Sequence, residues 1–418
     1  MISLPTSVRM VVFDDDPTGI QTVHSCLLVT AWDEETLLKA FSHQQPFFYV
    51  LTNTRAMTAV QAADVTRQAV EAVVRVSLRL GLRLICVSRS DSTLRGHFPV
   101  ETDVMCRVLE EHGLKVYPQI PFVPAFIEAG RITRQGVHYM RQGDRLVPVA
   151  ETEFARDNVF AYHHSRLTDY VMEKTGDAQS AAHYLIPADV ESYADLEVFC
   201  RDLLHRMASF DGCMVIRCSS SLPRALSGIA GRPLLTRETL QTGQGVGMVV
   251  VGSHVNKTTL QLRRLLQCDG VQGVELPVER ILQDADAFME ETLQQMDGLA
   301  REGLTPVVYT SRQELRVPDA NLRQQIGQQI SAFLVQLVRQ LPFVPAWLIA
   351  KGGITSHDIL THSLDIRTAE VLGQILPGVP CVQASRFPYV IFPGNVGDED
   401  ALAEAYARLG CNPHENDI

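Results

Sequence analysis

Several short stretches gather the residue types that could do chemistry. Asp14-Asp15-Asp16-Pro17-Thr18-Gly19 sets three carboxylates side by side directly after an apolar run. Adjacent carboxylates repel one another and are expensive near a core, so a metal, substrate hydroxyls or backbone amides must compensate them. The plain alternative is a solvated turn, since Asp-Pro and Thr-Gly are also turn signals. Ser88-Arg89-Ser90-Asp91-Ser92-Thr93-Leu94-Arg95-Gly96-His97 is denser, with hydroxyls, two arginines, an aspartate and a glycine ahead of a helix. Such groups suit a polyhydroxylated anion, because arginine grips a carboxylate through two parallel hydrogen bonds. Thr52-Asn53-Thr54-Arg55 adds another guanidinium, and Pro121 and Pro124 stiffen the chain before Gly130-Arg131.

The second half favours phosphate. Gly252-Ser253-His254-Val255-Asn256-Lys257-Thr258 is a glycine turn before a helix, where free amides and the positive dipole end attract anions. It is not a Walker loop, which needs glycine where Asn256 stands. Lys351-Gly352-Gly353-Ile354-Thr355-Ser356 and Pro393-Gly394-Asn395-Val396-Gly397-Asp398 are two more glycine turns at helix starts. Three in one half describe a nucleotide pocket. His24, His138, His163 and His164 lack a paired carboxylate or metal spacing and read as structural. Residues 150–183 are polar and irregular, with no readable role.

These stretches need elements to hold them. Apolar runs at 8–13, 47–51, 82–87 and 116–121 read as buried strands. Residues 59–80 and 100–112 have helical spacing. The second half repeats the alternation, with strands at 246–251, 306–310 and 346–350 and helices at 257–266, 322–340 and 399–409. The expected fold class is α/β, two domains, each with a largely parallel sheet flanked by helices. In such sheets ligands bind beyond the carboxyl ends of the strands, where the polar stretches lie. Glycines between 227 and 247 mark a linker, giving domains 1–235 and 236–418.

Composition sets the outer bounds. The 418 residues fit two to three domains, and 46% hydrophobic with 20% charged residues excludes global disorder. A net charge of −11 disfavours nucleic-acid or anionic-membrane partners but leaves room for a local basic pocket. No apolar run reaches membrane length and no secretory pattern opens the chain. Nine scattered cysteines without C-x-x-C read as core residues of a reduced, cytoplasmic protein with no metal-ligand framework, and Trp32 and Trp347 read as core.

Taken together, the 14–19 and 91–96 runs, Pro124-Ala125-Phe126 with Gly130-Arg131, Gly252-Ser253, the 352–355 turn and the 393–398 turn resemble the four-carbon acid sugar kinase family over nearly the whole chain. Members often read Gly-Gly-Glu-Thr where this chain has Ile354. The resemblance implies an N-terminal acid-sugar-binding domain, a C-terminal nucleotide-binding domain, and transfer of phosphate from ATP, with Mg²⁺, to the terminal hydroxyl of threonate, erythronate or 3-oxo-tetronate. It implies that Asp15, Arg55, Ser90, Asp91, Ser92, Thr93 and Arg95 face the sugar acid, with Asp91 or Asp15 as the base and Arg55 or Arg95 on the carboxylate. Ser253, Lys257, Gly352, Gly353, Ile354, Thr355, Gly394 and Asn395 would hold the nucleotide. A homodimer is the base-rate assembly. Two other readings stand beside it. The 14–18 run also matches the first motif of haloacid-dehalogenase-type phosphohydrolases, with Asp14 as nucleophile and Asp16 as acid/base. A non-catalytic sensor of nucleotide and metabolite would use the same loops.

Overall fold

The computed structural model describes residues 3–240, 242–243, 245–312 and 320–410. Backbone packing divides the chain into two units, Met1–Arg232 and Pro233–Ile418.

Among its described residues the first unit has ten strands: β1 (Val8–Asp14), β2 (Leu27–Val29), β3 (Phe47–Leu51), β4 (Arg83–Arg89), β5 (Ile120–Val123), β6 (Arg131–Arg134), β7 (Val137–Gln142), β8 (Arg145–Pro148), β9 (Tyr184–Leu185) and β10 (Met214–Cys218). Seven of them form a sheet in the order β2-β3-β1-β4-β10-β5-β9, with every pairing parallel. Their apolar runs are buried almost throughout, as a sheet covered on both faces requires. Helix Ala59–Leu80 covers part of it through Ala62, Thr66, Ala69 and Val73, spaced three to four apart. A Thr58–Gln61 capping box starts this helix, and Gly81 in the left-handed region ends it.

Register is what matters for the site. Asp14 lies opposite Leu51 on one side and Arg89 on the other, Arg89 opposite Cys218, and Cys218 opposite Val123. Neighbouring strands therefore end level, and the residues after them emerge along one edge.

The expected strand at 116–121 begins later, at Ile120. Val116 makes a single bridge to Cys213, and Pro118, with no amide hydrogen, cannot continue the ladder. A separate antiparallel sheet, β6-β7-β8, was not foreseen. Its first hairpin turns on Gln135 and Gly136, both at positive φ.

The second unit holds β11 (Met248–Val251), β12 (Val271–Leu276), β13 (Thr305–Thr310), β14 (Leu348–Lys351), β15 (Thr368–Leu376), β16 (Val379–Ala384) and β17 (Phe387–Phe392). Their order is β12-β13-β11-β14-β17-β16-β15, parallel as far as β17 and antiparallel from there to β15. Val251 pairs with Lys351 and Tyr309, and Lys351 with Phe392, so these strands too end level. Trp347 is buried here and Trp32 packs half-buried against the first unit's core. The eight described cysteines are free thiols, six of them buried, and Cys411 lies outside the described residues.

One buried ion pair ties the first unit's strand ends together. Arg217 of β10 donates to Glu101 (2.6 Å) and to the Ser88 hydroxyl (2.7 Å). Glu101 also accepts from Thr54 (2.6 Å), just after β3. Removing one partner of a buried pair strands the other charge and costs about 3–5 kcal/mol. Glu101→Ala should lower unfolding free energy by that amount in urea denaturation. A loss within the ~0.5 kcal/mol of an ordinary surface change would mean that the pair holds nothing together.

Candidate functional site

The first unit's cluster starts where β1 ends. Thr52 and Asn53 amides donate to the Asp14 carbonyl, and the Arg55 amide to that of Asp15, so the 52–55 turn is laid against the aspartates by the backbone. Arg55 then clasps Asp15 through Nε (3.1 Å) and Nη2 (2.5 Å), and reaches Asp16 through Nη1 (3.2 Å). Ser90 donates to Asp15 Oδ2 (2.5 Å), the oxygen that Arg55 Nε also reaches. Arg89, buried, donates to Asp14 (3.1 Å) and to Ser220 (2.9 Å). Gly96 is required here: its φ is +124°, and a Cβ would sit 2.2 Å from the Ser90 hydroxyl.

Asp14 is fully buried, and one of its oxygens, Oδ2, finds no hydrogen-bond donor among the described residues. Burial, with Asp15 and Asp16 adding and Arg89 opposing, pushes its carboxyl up to about 7. Asp14 is fully buried with one oxygen held by Arg89, whereas the phosphohydrolase reading asks it to face a substrate as a nucleophile. For Asp16, burial opposes ionisation, but Arg55, Arg89 and Thr18 outweigh it and hold the carboxyl below its ordinary value.

Asp91 and Arg95 form a second half-buried pair. Asp91 Oδ2 accepts from Arg95 Nε (2.8 Å), from the Thr93 amide (3.2 Å) and from the Thr93 hydroxyl. Its other oxygen takes no hydrogen bond among the described residues. Burial would raise Asp91, yet Arg55 and Arg95 hold it well below the usual carboxylate range. Arg95 is itself packed over Phe154, 4.8 Å from the ring centre, and lies 3.6 Å from Asp157.

Among the described residues Arg131 shares with Arg89 a buried Nε left without an acceptor, but it does not clasp a carboxylate as Arg55, Arg89 and Arg95 do. Its Nη1 donates to the Ala129 carbonyl (2.6 Å). Burial lowers its pKa while Asp91 works the other way, so guanidinium and carboxylate share one neighbourhood.

The loop carrying Asp91 is hung from outside the parallel sheet. His138 of β7 is buried and bonds the Ser92 carbonyl (2.8 Å) and Thr133 (3.0 Å), and burial lowers its pKa to about 4. Tyr170 donates to the Leu94 carbonyl (2.7 Å), and Leu94 sits at φ 65°. Residues 150–183, which had no readable role, supply Phe154, Asp157 and Tyr170 to this loop. Of the expected sugar-acid residues, Asp15, Ser90, Ser92 and Thr93 are buried as framework, whereas Arg55, Asp91 and Arg95 are half-buried. Arg89, Arg131 and Glu101 were not singled out as site residues. An arginine inside the apolar run of β10, Arg217, was the one readable sign of the buried network.

In the second unit Gly252, Ser253, Gly352 and Gly394 converge after β11, β14 and β17. Gly352 has φ +120°, and a Cβ there would approach the side chains of Ser253 (3.2 Å) and Thr355 (3.3 Å). Thr258 donates to the Ser253 hydroxyl (3.1 Å) and the Gly394 carbonyl (3.2 Å), and Lys257 to the Asn395 carbonyl (3.2 Å). Arg312 donates to the Ser253 carbonyl (2.8 Å). Gly353 is half-buried, and Ile354 is 62% exposed, so its side chain stands away from this cluster's buried partners.

Beneath the turns lies Lys351, completely buried, donating to the carbonyls of Pro393 (2.5 Å) and Gly394 (3.3 Å). Burial, with Lys257 adding, lowers its amine from 10.5 to about 7. The folded protein thus binds this proton less tightly than the unfolded chain, and stability should rise with pH between about 7 and 10.5. Urea midpoints at pH 7 and pH ~9.5 for the parent and Lys351→Met check this. The variant should show the smaller rise, and equal rises would refute a buried, weakly basic amine.

No helix among the described residues is long and apolar enough to cross a membrane. No curated protein matches the chain. Two solved structures share the fold: a Salmonella typhimurium LT2 protein provisionally called a tRNA synthase, and a Haemophilus influenzae protein of the DUF1537 family. The first is 19% identical with a TM-score of 0.67, over 95% of this chain and 98% of that one. The second is 18% identical with a TM-score of 0.64, over 96% and 100%. Family models match residues 10–184 as a sugar-binding N-terminal domain and residues 248–402 as a nucleotide-binding C-terminal domain. With those two domains in that order, the chain belongs to the four-carbon acid sugar kinase family.

Proposed function

We propose that the protein is an ATP-dependent kinase of a four-carbon sugar acid, acting on the terminal hydroxyl of a threonate, erythronate or 3-oxo-tetronate. The observation that carries this reading is Arg131, a guanidinium with an unanswered buried Nε that feels the charge of the half-free Asp91 carboxylate. A small acid bearing hydroxyls answers both: its carboxylate takes the arginine's donors, and a hydroxyl donates to Asp91 Oδ1. Arg55 and Arg95, the expected carboxylate partners, already hold aspartates, so Arg131 takes that role and they keep Asp91 ionised.

Phosphoryl transfer asks the protein for positioning and charge stabilisation rather than covalent help. Asp91 orients the acceptor hydroxyl and takes its proton as the new O–P bond forms and the bond from the γ-phosphorus to its bridging oxygen breaks. Asp15, wrapped by Arg55 and Ser90, acts as an anchor for the turn rather than as the base. In the nucleotide-binding domain, Ser253, Thr355 and the turns at Gly352, Gly353 and Gly394 offer hydroxyls and amides to the phosphates. Lys257 and Asn395 flank them. Mg²⁺ enters with ATP as the substrate complex, since it is held largely by phosphate oxygens and its own waters.

The direct test is ADP release from Mg-ATP with a panel of four-carbon sugar acids. Stimulation by at least one acid, with phosphate found on its terminal oxygen, is expected. A panel that releases no more ADP than the acid-free blank would overturn the reading. On the best acid, Asp91→Asn should lower kcat by roughly 10²–10⁴-fold. Arg131→Ala should raise KM roughly 10- to 100-fold, the worth of a charged hydrogen bond. Near-parental kcat in Asp91→Asn would exclude it as the base.

A further inference from the structure

The second unit carries a cluster that the proposed kinase chemistry does not use. Helix Gly353–Asp358 passes directly into a wider π-helical turn, Ile359–Ser363. The Leu364 amide marks it by donating to the Ile359 carbonyl, five residues back (3.0 Å). An α-helix advances about 100° per residue, so positions five apart point to different faces. The wider turn corrects that difference for His357 and His362. Their rings lie 6.1 Å apart and nearly perpendicular. Asp358 stands between them, and one donor atom from each of the three side chains lies within 4.8 Å of the others. π turns of this kind occur frequently at functional sites.

We propose that His357, Asp358 and His362 form a site for one borderline transition cation of the Zn²⁺ or Co²⁺ class. Two imidazoles and a carboxylate select such ions over Mg²⁺ and Ca²⁺, which prefer oxygen donors throughout. Three protein donors at about 2.0–2.2 Å leave a fourth tetrahedral position for water or another small ligand. His362 is exposed and free to swing the short distance that ligation needs, while His357 and Asp358 are half-buried. Asp358 also has an outer partner. The Ser331 hydroxyl, on helix Ala320–Arg339, donates to Asp358 Oδ2. Such a bond orients a ligating carboxylate and leaves its other oxygen for the ion. A bound ion would thereby pin the π turn to that neighbouring helix. None of this depends on the kinase reading.

The test uses the full chain stripped with chelator and titrated with Zn²⁺ by calorimetry and with Co²⁺ by its visible absorption. One ion per chain is expected, with a Co²⁺ spectrum of the intensity of a four-coordinate site, little disturbed by excess Mg²⁺. Ser331→Ala should weaken Zn²⁺ binding roughly 10- to 100-fold, as outer-partner changes do, and His362→Ala at least as much. His362 is exposed, so its loss leaves the fold intact, and matched thermal melts in chelator check this. A parent protein that takes up neither ion would overturn the proposal. So would a His362→Ala variant that binds Zn²⁺ as the parent does, which would assign the ion to the half-exposed thiols elsewhere. Equal displacement by Mg²⁺ would overturn the class of ion.

Discussion

Charge removed from water has to be answered inside the protein, and the first unit is organised around that demand. Arg89 is buried where β4 ends, between Asp14 on the next strand and Ser220 beyond β10. One layer away, Arg217 and Glu101 do the same for Ser88 and Thr54. Arg89 takes its acidic partner from the end of β1 and Arg217 takes its own from the first turn of helix Val100–Glu111, so neutralisation works only if these strand ends and that helix start are held together. The parallel register makes the strands finish level. The candidate site is the outer rim of this arrangement, where Asp91 and Arg95 are half-buried rather than enclosed.

The second unit meets a related demand by other means. It places a single amine under three turns and satisfies it with main-chain carbonyls rather than carboxylates. An amine so held need not carry full charge, which lowers the penalty of its burial. The half-buried part of those turns brings together hydroxyls and glycine backbone, with Lys257 and Asn395 exposed at the margin. The division of labour between the two family domains is therefore visible in their electrostatics: fixed ion pairs in one, polar backbone in the other.

Much of the fold could be read from local pattern. Fully apolar runs such as 47–51 and the three-to-four spacing in 59–80 state their structure within one window of sequence. The loops after β1, β3 and β4 were legible as a site for the same reason, since topology puts polar residues at strand ends. What escaped depends on partners far away in the chain. Arg217 acquires its meaning from Glu101, 116 positions earlier, and Tyr170 from Leu94, 76 positions earlier. The β6-β7-β8 sheet has mixed burial, so it shows neither a clean alternation nor a continuous apolar run. The late start of β5 follows from one proline inside an otherwise strand-like stretch. Arg55 and Arg95 stand out in the sequence as charged groups in polar loops, but their commitment to Asp15 and Asp91 could be seen only in three dimensions.

The suspension of the 91–96 loop has an evolutionary corollary. Its tethers, His138, Tyr170 and Phe154, belong to peripheral segments that contribute no strand to the parallel sheet. His138 and Tyr170 are themselves buried, and Tyr170 stacks on Phe122 of β5, so the half-buried Phe154 is the tether whose change would disturb the framework least. Under the proposed function, selectivity among related sugar acids could then be adjusted from this outer position through Arg95, which packs over Phe154.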